Sequence, residues 1–159
     1  MFGITRPSHP RRMFVVIGLV LIGLTASAAT ARKQCVSSYF AEFTGVGADG
    51  RDMVWRGAVA GAAVGEMTVR LAHEGRDIDT ASPTWPVEGI IIVSGEDPRR
   101  AFAAEVHGTI DWRTKRAKLA GDVSVGYMRG AHVEQTADLI DHDLSGELRF
   151  APTTLAFAR

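Results

Sequence analysis

The nine residues AEVHGTIDW (104–112) set a glutamate, a histidine and an aspartate, Glu105, His107 and Asp111, at alternate or fourth positions of one short run. On a single face, a His with two carboxylates is the raw material for acid–base work or for a metal ion. A second polar group lies further on, where ADLIDHDLSG (137–146) carries Asp138, Asp141, His142 and Asp143, after His132 and Glu134. Neither group has the spacing of a calcium loop or a zinc helix. GVGADG (45–50) matches a G-x-G-x-x-G string, but the residues after it alternate as a strand does. No helix N-terminus follows to hold a pyrophosphate, so Asp49 and its glycines are expected to form a hairpin turn. The lone Cys35 has no histidine nearby and no G-x-S-x-G occurs, which leaves nucleophilic catalysis without a motif.

These groups take their meaning from the elements that carry them. The first 31 residues stand apart. Arg6, Arg11 and Arg12 precede the apolar run MFVVIGLVLIGL, and TASAATA then supplies small residues at the spacing a signal peptidase reads, with cleavage expected after Ala28 or Ala31. The apolar run is too short for a membrane span, so residues 1–31 are expected to be a secretory signal peptide and 32–159 a periplasmic or secreted domain. Removing the leader leaves 15 basic against 18 acidic residues, a net charge of −3. That balance gives no electrostatic footprint for nucleic acid. A single cysteine excludes an internal disulfide.

Beyond the leader, apolar residues recur at every second position, the period of a strand with one buried face. Eight such runs are predicted: 38–45, 53–61, 65–74, 85–95, 101–112, 118–127, 131–137 and 144–150, with TTLAFAR as a further closing segment. Turn-forming residues separate them, which argues for a single antiparallel barrel or, as the alternative, a two-sheet sandwich. Six glycines (Gly45, Gly57, Gly89, Gly108, Gly121 and Gly146) share the parity of the large apolar residues. Glycines on the concave side let a strand bend into a tight wall, which favours the barrel. A side chain added at Gly108 or Gly121 is expected to press on Trp112 or Trp55. In the 118–127 strand, Leu119, Gly121, Val123, Val125 and Tyr127 are all expected to face inward.

EVHGTIDW, KLAGDVSVGYMRG and LSGELRF, with their inward glycines, resemble the C-terminal hairpins of small exported barrels related in architecture to the allene oxide cyclase and dirigent proteins. That resemblance implies a calycin-like barrel whose mouth holds or steers a small hydrophobic molecule. It carries no catalytic residue onto any position of this chain.

Face assignment answers the opening question. With Val106, Gly108, Ile110 and Trp112 inward, Glu105, His107 and Asp111 fall on the outer, wet face, where Lys118, Asp122 and Ser124 of the next strand join them as charge partners. The inward aromatics Tyr39, Phe43, Trp55, Trp85, Phe102 and Trp112 are the candidate ligand-lining residues, and equally the filling of a closed core. The function expected is non-enzymatic binding of a small hydrophobic ligand. An isomerase of the allene oxide cyclase kind and a packed envelope interaction module are the alternatives. No cofactor or metal ligand is assigned.

Overall fold

A computed structural model describes residues 35–48, 50–75, 81–95 and 97–151. The leader, with its cleavage sites, and TTLAFAR lie outside the described residues. The alternating pattern becomes eight strands: β1 (Cys35–Val46), β2 (Asp52–Gly61), β3 (Gly65–His73), β4 (Thr84–Ser94), β5 (Phe102–Asp111), β6 (Arg116–Gly126), β7 (His132–Ile140) and β8 (Asp143–Ala151). Each strand pairs antiparallel with the next, and β8 pairs with β1 from Cys35↔Phe150 to Ala41↔Leu144. The sheet is therefore a closed up-and-down barrel, and the sandwich alternative falls. The barrel expected from the resemblance is present as an eight-stranded closed antiparallel sheet.

Closure requires a wall that coils tightly, and the glycines show how that is achieved. Across neighbouring strands the inward rows alternate large with small: Leu71, Gly89, Val106, Gly121, Val133 in one, and Val87, Gly108, Leu119 in another. A Cβ on Gly121 would lie 1.8 Å from the Glu105 carbonyl oxygen, and one on Gly108 would lie 2.0 Å from that of Lys118. The obstacle is the backbone of the paired strand, not Trp112 or Trp55 as the sequence suggested. Gly45 differs from the others. Space around it is open, and its φ of +120° is what demands glycine.

Two β-bulges interrupt the alternation, and one of them turns residues outward. In β6 the register with β5 slips at Ser124, whose hydroxyl donates to the Ala103 carbonyl. The extra residue reverses the faces beyond it, so Val125 and Tyr127 are exposed, contrary to the alternation. In β1 the slip falls between Phe43 and Gly45, where the Phe43 N–H donates to the Asp143 carboxylate at 2.8 Å. Phe43 ends up 39% exposed at the rim rather than in the core.

The interior is apolar, with Trp55, Met67, Leu71, Ile91, Ile110, Leu144 and Leu148 fully buried. Outward positions such as Glu42, Arg56, Arg70, Glu88, Glu105 and Lys118 are exposed. This is the reverse of a lipid-facing barrel, whose outer band is apolar. Among the described residues no helix is long and apolar enough to cross a membrane.

Candidate functional site

Hairpin topology gives the barrel two unlike ends. One end collects the β1–β2, β3–β4, β5–β6 and β7–β8 connections, and all three tryptophans lie toward it. His73, Trp85 and Trp112 form an edge-to-face chain, with centroids 5.8 Å apart for His73–Trp85 and 5.3 Å for Trp85–Trp112. Trp55, Phe43 and His142 form a second chain at 5.4 and 6.3 Å. A cleft of about 170 Å³, lined by Trp112, Lys115, Leu139, Asp141 and His142, joins the two chains.

The turns hold these groups in place. Asp141 and His142 are the two central residues of the β7–β8 hairpin, with φ of +51° and +79°. Both angles positive is the twist-matched two-residue turn, and Asp and His tolerate it better than most side chains. Lys115 has a φ of +55°, and its carbonyl accepts from the Leu139 N–H at 2.8 Å. Asp111 closes the same turn, accepting from the Arg113 and Thr114 N–H groups at 2.9 and 3.0 Å. The Thr114 N–H holds the Asp111 carboxyl below its ordinary range, with Arg113 adding to the effect. The Trp112 backbone N–H donates to the Pro83 carbonyl at 2.8 Å, anchoring the main chain that carries the indole.

The three indoles differ in one respect. Trp55 Nε1 donates to the His142 carbonyl at 2.7 Å and Trp85 Nε1 to the Ser82 carbonyl at 3.1 Å. Trp112 Nε1 is buried and has no acceptor, and His73 Nδ1 in the same aromatic chain is likewise buried without a partner. A buried donor left unpaired carries a desolvation penalty of roughly 1–3 kcal/mol.

Of the six residues singled out by parity, Phe43, Trp55, Trp85 and Trp112 lie at this end, and the other two lie elsewhere. Phe102 meets Phe150 edge-to-face at 5.6 Å at the opposite end. Tyr39 sits deep inside, its hydroxyl accepting from Gln135 Nε2, while Gln135 Oε1 has no partner. Burial pushes the Tyr39 phenol far above its ordinary value, only partly opposed by the Gln135 bond. Inward parity also picks out Gln135, yet a glutamine inside an apolar strand gives no cue to its partner. By residue type alone, Lys115 with Arg113 and Arg116 is a solvated hairpin tip, and Asp141 and His142 with Asp138 and Asp143 are an acidic loop.

The opening triplet does not converge. Glu105 and His107 are exposed on the outer wall, where His107 faces Glu88 and Glu105 faces Asp122. They border a furrow of about 670 Å³ floored by Gly89, Val106 and Gly121. Lys118, expected to pair with these acids, stands opposite Thr109, and the ion pair formed by Asp122 is with His132 at 3.1 Å. Among the described residues no group of three His, Cys, Asp or Glu could hold a metal ion. No family model, curated protein or solved structure matches this chain.

Proposed function

We propose that this barrel is an exported, non-enzymatic binding module that takes a small, largely apolar ligand at its tryptophan-bearing end. The observation that carries the reading is the cleft at this aromatic end, walled by Trp112, Leu139 and His142. Apolar surface with a few fixed polar groups is the usual composition of a ligand site. An apolar ligand body would cover the Trp112 ring and Leu139 there.

Two further features support binding over catalysis. Burial keeps the proton on the Tyr39 phenol well above neutral pH, and its partner Gln135 is neither acid nor base, so this buried pair supplies no proton shuttle. Bulky side chains fill the core, which favours the rim as the place where a ligand sits. The basic and apolar leader supports export.

The test follows the indole N–H resonances of ¹⁵N-labelled protein, assigned by Trp→Phe variants, during titration with cyclohexanone, an apolar ring bearing one acceptor. The Trp112 resonance is expected to move most, Trp85 less and Trp55 least. Saturating probe that leaves Trp112 unmoved overturns the reading. A second reading, the packed envelope module acting through its wall, is favoured by the exposure of Val36 (41%) and Phe40 (47%) on β1, beside Ala58 and Ala60. It predicts that Phe40→Ser abolishes capture of a partner while the indole resonances ignore every small probe.

A further inference from the structure

The outer wall over β3 to β6 carries an apolar row that the fold of one chain does not use. Thr68, Ile92, Ala103 and Val125 stand opposite one another in register across these four strands, all on the outward side. Ile92 is exposed, and Val125 is 63% exposed. The β6 bulge puts Val125 there. Strict alternation would turn Ser124 to water and Val125 into the core. The extra residue does the opposite, leaving Ser124 half-buried against the Ala103 carbonyl, with Tyr127 following Val125 outward. Bulges re-aim side chains. Trading a hydroxyl for an isopropyl group at the surface is unfavourable in water, and burial against a partner reverses the sign.

We infer that this row is the centre of a contact with a second copy of the chain, related by a two-fold axis running along the row. Charge placement selects this partner. A furrow flanks the row on each side. The one of about 670 Å³ is lined by Arg70, Glu105 and Asp122, and one of about 760 Å³ by Glu66, Ser94 and Arg100. The sign of charge therefore reverses across the row. On β3 Arg70 lies on one side and Glu66 on the other; on β5 Glu105 lies on one side, and Arg100, just before the strand, on the other. An axis along the row sets each furrow against the opposite furrow of the second copy. Glu105 of each copy then faces Arg100 of the other, and Arg70 faces Glu66. Neither Glu105 nor Arg100 takes part in an ion pair within the described residues, while Arg70 also holds Asp52 at 2.8 Å. Glu105 stands directly opposite Asp122 on its own wall, a like-charge pair that an arginine from outside relieves. An axis along the strands would instead set like charges against each other, and a partner of one sign would be repelled by one furrow. The wall curves away from the row, so the contact is small and a micromolar dimer is expected. This surface is independent of the tryptophan end.

The barrel closes within residues 35–151, so sedimentation equilibrium can use the chain without its leader. A shift from monomer to dimer is expected between about 1 and about 200 µM, weakened about tenfold between 0.05 and 0.5 M NaCl. Val125→Asp is expected to weaken the dimer at least about a hundredfold with circular dichroism unchanged. Phe40→Asp, on β1 across the barrel, is expected to leave it intact. Glu105→Lys and Arg100→Glu, both at exposed positions, are each expected to be monomeric alone and to form a mixed dimer when combined, because both reciprocal contacts then join opposite charges. A chain still monomeric at about 200 µM overturns the inference, and so does a dimer that Phe40→Asp breaks and Val125→Asp does not. A mixture of the two charge-reversed variants that stays monomeric, or single variants that dimerise as the parent does, refutes the axis along the row.

Discussion

Replacing Gly121 by alanine adds one methyl group to the wall, and the structure says what it meets. The new Cβ would lie 1.8 Å from the Glu105 carbonyl oxygen and 2.9 Å from the Val106 Cα, both on the paired strand β5. Real Cβ contacts essentially never fall under 3.0 Å, so the shortfall is 3.0 − 1.8 = 1.2 Å. No flexible side chain end is available to give way. Moving β5 by that amount stretches ladder bonds from ~2.9 Å to ~4.1 Å, beyond hydrogen-bonding range. Losing two such bonds costs about 1–3 kcal/mol, and forcing extra atoms into a packed wall costs about 1–3 kcal/mol more. The expected loss is about 2–6 kcal/mol, with a fall in Tm of about 6 °C or more for a domain of this size. The sign is informative, because Gly→Ala where the backbone can accept it stabilises by roughly 0.4–1 kcal/mol. Equilibrium urea unfolding of Gly121→Ala and Gly108→Ala, beside His107→Val on the outer face, provides the assay. His107→Val is expected to stay within about 0.5 kcal/mol of the parent. If Gly121→Ala costs less than about 1 kcal/mol, the close approach of β5 and β6 is wrong. If His107→Val unfolds the protein instead, the two faces of the wall are inverted.

The phenol of Tyr39 should titrate only as the barrel opens. Its pKa is raised above the unfolded value of 10.0, so the stability it contributes is complete below pH 10 and declines as pH rises above that value toward the folded pKa; in Tyr127→Phe, which leaves Tyr39 as the only tyrosine, absorbance at 295 nm should stay flat until the fold is lost, and ionisation of Tyr39 with the fold intact would refute it. Tyr39→Phe alone strands the buried Gln135 amide and should cost about 1–3 kcal/mol, whereas Tyr39→Phe with Gln135→Leu should recover most of that loss in urea unfolding. Phe102→Ala removes half of the ring pair at the far end and should cost about 3–5 kcal/mol, with cyclohexanone still moving the Trp112 resonance; loss of that response in the folded variant would show that the two ends are coupled.

Strand number, order of pairing and closure were legible because each depends on a local rule repeated eight times. Alternation set the faces, glycine parity marked the bends, and turn residues punctuated the runs. The errors have two causes. Counting in twos puts Val125 and Tyr127 inside, and a bulge of one residue breaks the count, whereas Phe43 keeps its parity opposite Trp55 and is exposed because it stands at the rim. Nothing in GDVSVGY marks Ser124 as the extra residue, since its role appears only in the register with β5. The partner of Gly121 was misjudged for a related reason. Parity tells which way a side chain points, but the distance to the neighbouring backbone is set by how tightly the wall coils.

The same coiling explains why the candidate site was only half readable. Glycine rows let the wall wrap so closely that Trp55, Met67, Leu71 and Ile110 occupy the interior. What is left for a ligand is the rim, where strands give way to turns. The aromatic half of the site obeys strand parity, so Trp85 and Trp112 could be found from the sequence. The polar half is turn chemistry: Lys115, Asp141 and His142 belong to the β5–β6 and β7–β8 connections, and their residue types alone suggest ordinary solvated tips. Only their left-handed backbone angles and the Lys115 carbonyl's bond to the Leu139 N–H tie them to one cleft. In a closed barrel whose core is filled, open space is left to the connections, and here two adjacent hairpins line one cleft with Trp112, the one indole left without an acceptor.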